Sequence, residues 1–79
     1  MNWNPYKRGY LAKSGHGYYF VYRQFDHEER SDRWFTEYEG GVGKYREQGH
    51  LTGKPHGFDS IEDAKAFCEK DARDLESML

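Results

Sequence analysis

Two segments of the chain read as β-strands: GYYFVYRQFD over residues 17–26 and DRWFTEYE over 32–39. Both are rich in rings with Val or Thr, residue types that suit a pleated surface, and the polar run DHEERS between them has the character of a hairpin loop. A sheet with one wet side should alternate apolar and polar positions, yet the first strand is apolar or aromatic on both faces. Either Tyr19, Val21 and Phe25 or Tyr18, Phe20 and Tyr22 therefore form the covered face, and the other set lines an outer surface. Upstream, residues 6–13 form a weaker strand that runs into SGHG, a turn signal.

Past residue 57 the period changes. Ile61, Ala64, Cys68, Ala72, Leu75 and Leu79 fall on one stripe at about 100° per residue, with Phe67 and Met78 on its border, which predicts an amphipathic helix over about 60–77. Glu62, Asp63, Lys65, Glu69, Lys70, Arg73, Asp74 and Glu76 make up the polar side. Asp59 with Glu62, or Ser60 with Asp63, supplies the N-cap, and the acids of the first turn suit the positive end of the helix dipole. Between hairpin and helix, residues 40–57 read GGVGKYREQGHLTGKPHG, with six glycines in eighteen residues. That predicts a long loop, with room for a short strand around Leu51. The expected fold is α+β: a single domain over 1–79, with a three-stranded antiparallel meander over about 6–39, a Gly-rich loop over 40–57 and one C-terminal helix packed on one sheet face.

Composition explains why rings recur. Of 79 residues, 35% are hydrophobic and 18% aromatic, so half of the apolar set is Phe, Tyr or Trp and the core must be built from rings. A buried ring withdraws roughly 150–250 Å² from water, so a few replace many aliphatics. This offsets a mean hydropathy of -1.18. The net charge of -2 and pI near 6.0 lack the basic excess of a phosphate-binding domain, so direct nucleic-acid binding is disfavoured. A single cysteine, Cys68, forms no internal disulfide and suits a reducing cytoplasm, and no stretch approaches the ~20 apolar residues of a membrane span. The expectation is a cytoplasmic monomer without a membrane anchor.

Candidate chemistry is sparse. HGYYFVYR partly resembles the first RNP motif of RNA-recognition motifs, matching at Gly17, Tyr18, Phe20 and Val21. Tyr19 stands where a small residue belongs and Arg23 replaces the last aromatic, so the match fails where a base should stack. Cys68 lies on the apolar stripe without a nearby histidine, which predicts a buried, inert thiol. His16, His27, His50 and His56 fall in turns or loops, and GGVGKY lacks the Gly-Lys-Ser/Thr ending of a phosphate loop. No catalytic residue, cofactor or metal site is expected.

Charge is more informative. Residues 1–25 hold Lys7, Arg8, Lys13 and Arg23 and no acid, whereas residues 26–39 hold Asp26, Glu28, Glu29, Asp32, Glu37 and Glu39 against Arg30 and Arg33. The bland reading is that acids pair with Lys7, Arg8 or Arg23 across strands. The sharper one is an acidic surface in which Asp26, Glu28, Glu29, Asp32, Glu37 and Glu39, with Trp34 and Tyr38 as ring anchors, dock on a basic protein. In size, composition and plan the chain resembles small phage-encoded inhibitors of bacterial defence, of the anti-CRISPR type. The resemblance implies a protein partner with a basic surface, such as a CRISPR effector complex, and inhibition by blocking access to target DNA. Two alternatives stand beside it: a single-strand-binding platform using Tyr18 and Tyr22 with Lys7, Arg8, Lys44, Arg46 and Lys54, and an oligomeric structural subunit.

Overall fold

The computed structural model describes residues 1–15, 17–40 and 54–78. It is α+β, an antiparallel sheet and one C-terminal helix, in the order β1 (Trp3–Tyr6), β2 (Gly9–Lys13), β3 (Gly17–Asp26), β4 (Ser31–Gly40) and α1 (Ile61–Met78). The strands lie side by side in chain order, a four-stranded meander in place of the three strands expected. The segment read as one strand from residue 6 to 13 is two half-hairpins. The chain reverses at Lys7 and Arg8, so that Tyr6 faces Gly9 and Trp3 faces Ala12. Lys7 holds a positive φ of 51°. That conformation normally marks Gly, Asn or Asp, so the turn left no signature in the sequence. Pro5 is accommodated because β1 is an edge, where a residue without an N–H is tolerated.

The long hairpin of β3 and β4 is the frame of the sheet. Its ten paired positions run from Gly17 opposite Gly40 to Asp26 opposite Ser31. In the turn, the Arg30 amide donates to the Asp26 carbonyl at 2.8 Å and the Glu29 amide to the Asp26 carboxylate at 2.9 Å. The register decides the faces. Tyr19 lies opposite Tyr38 and Val21 opposite Thr36, and all four are buried on the side the helix covers. Tyr18, Phe20 and Tyr22 point the other way.

Helix α1 begins where Ser60 accepts the Asp63 amide at 3.1 Å, which makes Ser60 the cap and leaves Asp59 to pair with Arg33. Ala64, Cys68, Ala72 and Leu75 form its buried stripe against Tyr19, Val21, Tyr38 and Phe58. The division of labour is plain: the sheet contributes rings and the helix mostly small residues, so the backbone of α1 can approach the rings closely. Two side chains expected on the polar side of the helix turn towards the sheet instead. Glu69 accepts from the Trp3 indole at 3.1 Å, and the Lys65 ammonium lies 4.5 Å from the Tyr10 ring centroid. The Tyr19 hydroxyl donates to Asp71 at 2.7 Å, so the buried ring keeps its polar end satisfied at the helix flank.

The chain returning to the helix is stitched to the free edge of β4. Trp34 and Phe58 exchange backbone hydrogen bonds of 3.0 and 2.7 Å, and the Arg33 guanidinium reaches the carbonyls of His56 and Gly57. Gly57 is required here. Its φ is +78°, and a Cβ would sit 2.9 Å from both the Trp34 carbonyl oxygen and the Arg33 Cβ. The expected short strand around Leu51 lies outside the described residues, as do His16, Lys44, Arg46, His50 and Leu79.

Candidate functional site

Helix α1 covers one face of the sheet, and the opposite face carries a run of side chains that its strand pairing brings together. Leu11 lies opposite Phe20 and Tyr6 opposite Gly9, which itself faces Tyr22. Across the hairpin Tyr22 faces Phe35, Phe20 faces Glu37, and Tyr18 faces Glu39. The rings form a connected row. Tyr6 meets Phe20 edge-on at 5.7 Å, Phe20 stacks on Tyr22 at 5.0 Å, and Tyr22 stacks on Phe35 at 5.9 Å. Ring pairs at these separations are mutually attractive, so the rings support one another across the strands.

Charge on this face is polarised. At the β1–β2 turn the Lys7 ammonium lies 5.3 Å from the Tyr6 ring centroid and the Arg8 guanidinium 5.3 Å from that of Tyr22. Towards the other end of β4 stand Glu37, half-buried, and Glu39, exposed. Between them lies an open groove of about 420 Å³, whose walls include Tyr6, Leu11, Tyr18, Phe20, Glu37 and Glu39. The Tyr22 hydroxyl feels this setting: burial raises its pKa above 10.0, Glu37 pushes the same way, and Arg8 opposes.

The eight residues read as a binding surface are dispersed over four places. Asp26, Glu28 and Glu29 sit at the tip of the long hairpin, where Asp26 caps the turn and faces His56 Nδ1 at 3.3 Å. The Glu29 amide, ahead of His56, holds the Asp26 carboxyl below its ordinary pKa against a smaller opposing effect of burial. Asp32 pairs with exposed Arg23 at 3.3 Å, which is the bland cross-strand reading realised. Trp34 and Tyr38 are on the covered face: Trp34 packs on the core, and Tyr38, only 1% exposed, lies 4.9 Å from the Tyr19 ring. Tyr38 therefore presents no ring to a partner. Glu37 and Glu39 stand on the outer face with Phe20 and Tyr18 as their cross-strand rings, and Asp26, in phase with those rings on β3, lies at the far end of the hairpin.

One signal for this arrangement was present in β4. Trp34, Thr36 and Tyr38 alternate with Phe35, Glu37 and Glu39, and only the first set lacks carboxylates, so it had to be the covered one. Of the cations read as a single-strand platform, Arg8 does join Tyr22 and Lys7 lies over Tyr6, whereas Lys54 lies over Phe58. Cys68 is fully buried, and burial with Asp71 and Glu69 nearby pushes its thiol up to about 12. Among the described residues no three His, Cys, Asp or Glu side chains converge as metal ligands, and no helix is long and apolar enough to cross a membrane. Comparison with family models, with curated proteins and with solved structures yields no match.

Proposed function

We propose that the chain is a protein-binding inhibitor of the anti-CRISPR type, which docks the ring-lined outer face of its sheet on a basic surface of a nucleic-acid-handling complex and blocks access to DNA. One observation carries the reading: a connected row of rings on the sheet face opposite α1, which no other described element covers, continued by Glu37 and Glu39. Rings at the centre of a contact supply most of its energy, and complementary charge speeds encounter and fixes orientation. The hairpin-tip acids Asp26, Glu28 and Glu29 add negative potential near one end of the same sheet.

A second reading, single-stranded nucleic acid stacked on the same rings, is favoured by Lys7 and Arg8 over Tyr6 and Tyr22. Two carboxylates on the face and the net charge of -2 oppose it. The deciding experiment is affinity capture from a bacterial lysate with mass spectrometry, using the protein and the double variant E37K/E39K, alongside titration with a fluorescent oligonucleotide at low salt. The expected result is retention of a nucleic-acid-handling complex by the protein, its loss from the variant with an unchanged circular dichroism spectrum, and no oligonucleotide binding. Capture that ignores the charge reversal, or micromolar oligonucleotide binding, overturns the proposal.

A further inference from the structure

We infer that Asp26 and His56 form a clasp, closed by protonation of the imidazole, that ties the tip of the long hairpin to the segment leading into α1. The two residues are 30 apart in the chain and meet only through the fold. Asp26 ends β3, and His56 shortly precedes Phe58, whose backbone pairs with Trp34 along the edge of β4. That pairing carries the imidazole to the tip, where Nδ1 lies 3.3 Å from Asp26 Oδ1 and both residues are half-buried. Each partner is held independently of the contact. The other Asp26 carboxylate oxygen accepts the Glu29 amide at 2.9 Å, and the Asp26 carbonyl accepts the Arg30 amide at 2.8 Å. The His56 carbonyl accepts from Arg33 Nε at 3.0 Å, and the next amide, that of Gly57, donates to the Lys54 carbonyl at 3.1 Å. What varies is the proton on the imidazole.

The charges around the junction single out this pair. The Arg33 guanidinium is matched by Asp59 and by the carbonyls of His56 and Gly57, and Arg23 pairs with Asp32. Lys54 lies over the Phe58 ring at 5.3 Å, and His27 packs edge-on against Phe25 at 5.1 Å. Glu28, Glu29 and Arg30 stand exposed at the tip, so among the described residues Asp26 is the carboxylate that the imidazole meets. Asp26 stays ionised through the range in which imidazoles titrate, because the Glu29 amide, ahead of His56, holds its carboxyl below the ordinary range against a smaller effect of burial. With both ring nitrogens protonated, Nδ1–H donates to the carboxylate across an ion pair, which is roughly twice as strong as a neutral hydrogen bond. Deprotonation removes the charge, and one of the two neutral tautomers turns a lone pair towards Asp26. The clasp therefore adds stability at pH 5 that is lost as the pH rises towards 8. The Trp34–Phe58 bonds and those of Arg33 hold no group that titrates there, so the segment stays on β4 while its link to the tip loosens.

The test is a double-mutant cycle of Asp26→Asn and His56→Gln, read by urea unfolding at pH 5 and pH 8 and accompanied by an NMR pH titration at low ionic strength. Asparagine at position 26 can still accept the Glu29 amide, so the turn keeps its cap. The expected coupling between the two sites is about threefold in the unfolding constant at pH 5 and smaller at pH 8. In the titration, the Glu29 amide resonance should follow the His56 ring resonance in the protein and cease to follow it in Asp26→Asn, while the Trp34 and Phe58 amides keep their hydrogen-bonded shifts throughout. Equal coupling at both pH values, no coupling at pH 5, or a Glu29 amide that follows His27 in place of His56 overturns the inference. Should His56→Gln fail to fold, the titrations of the protein and of Asp26→Asn decide by themselves: a Glu29 amide that responds identically in both overturns the clasp.

Discussion

Cys68 shows how a residue's position decides its chemistry. On the helix stripe between Ala64 and Ala72 it touches the ring core, and its thiol is pushed up to about 12 from 9.0 by burial first and then by Asp71 and Glu69. A pKa raised in the folded state means that the neutral thiol is held by the fold while the unfolded chain can ionise. The stability linked to Cys68 is therefore complete below pH 9 and is lost as the pH rises from 9 towards 12. The difference in unfolding free energy between the protein and Cys68→Ala should accordingly shrink over that range in urea titrations. At pH 8 a thiol reagent should label Cys68 only as fast as the domain opens, and rapid labelling of the native protein would contradict the buried placement. This residue was fully legible in the sequence, because a lone cysteine in phase with Ala64, Ala72 and Leu75 leaves it no exposed alternative.

At the scale of elements, the helix was legible because it repeats its period over more than ten residues, and the long hairpin because two runs of rings with Val or Thr flank a polar turn. Helix α1 also has a local start signal, and Ser60 rather than Asp59 fills it, since Asp59 is drawn to Arg33 by the strand-edge segment. Ser60→Ala should lower stability by about 1 kcal/mol in chemical denaturation, the usual cost of losing a cap, whereas Asp59→Ala should leave the amide of Asp63 satisfied and the helix start intact. The first hairpin was not legible. Its turn residues, Lys7 and Arg8, are unremarkable in composition, and the strand it closes contains Pro5. What forces the reversal is long-range: the Trp3 indole reaches Glu69, and Tyr6 reaches Phe20, contacts that exist only once the helix and β3 are in place.

For the whole molecule, the sheet has two ring-bearing faces with different duties. Val21 and Tyr18 both belong to β3, three residues apart, but Val21 is 0% and Tyr18 45% exposed. Val21→Ala should therefore cost about 2 kcal/mol of stability, while Tyr18→Ser should shift it by no more than about 0.5 kcal/mol, a contrast that thermal unfolding of the two variants reads directly. A small effect at Val21 or a large one at Tyr18 would reverse the assignment of faces, and with it the proposed binding surface. Only half of that surface could be read along the chain. The acids Glu37 and Glu39 stood out by charge, but their neighbours in the chain, Trp34 and Tyr38, turn inward, and the rings that meet them come from another strand. By itself the sequence determined the α+β class, the amphipathic helix with its small-residue stripe, the antiparallel hairpin and the reliance on rings for a core, because these follow from local period and composition. Tertiary structure alone decided the fourth strand, the covered face and the pairing of Phe20 with Glu37 and Tyr18 with Glu39. Those depend on register, where a slip of one residue exchanges every inward side chain for an outward one.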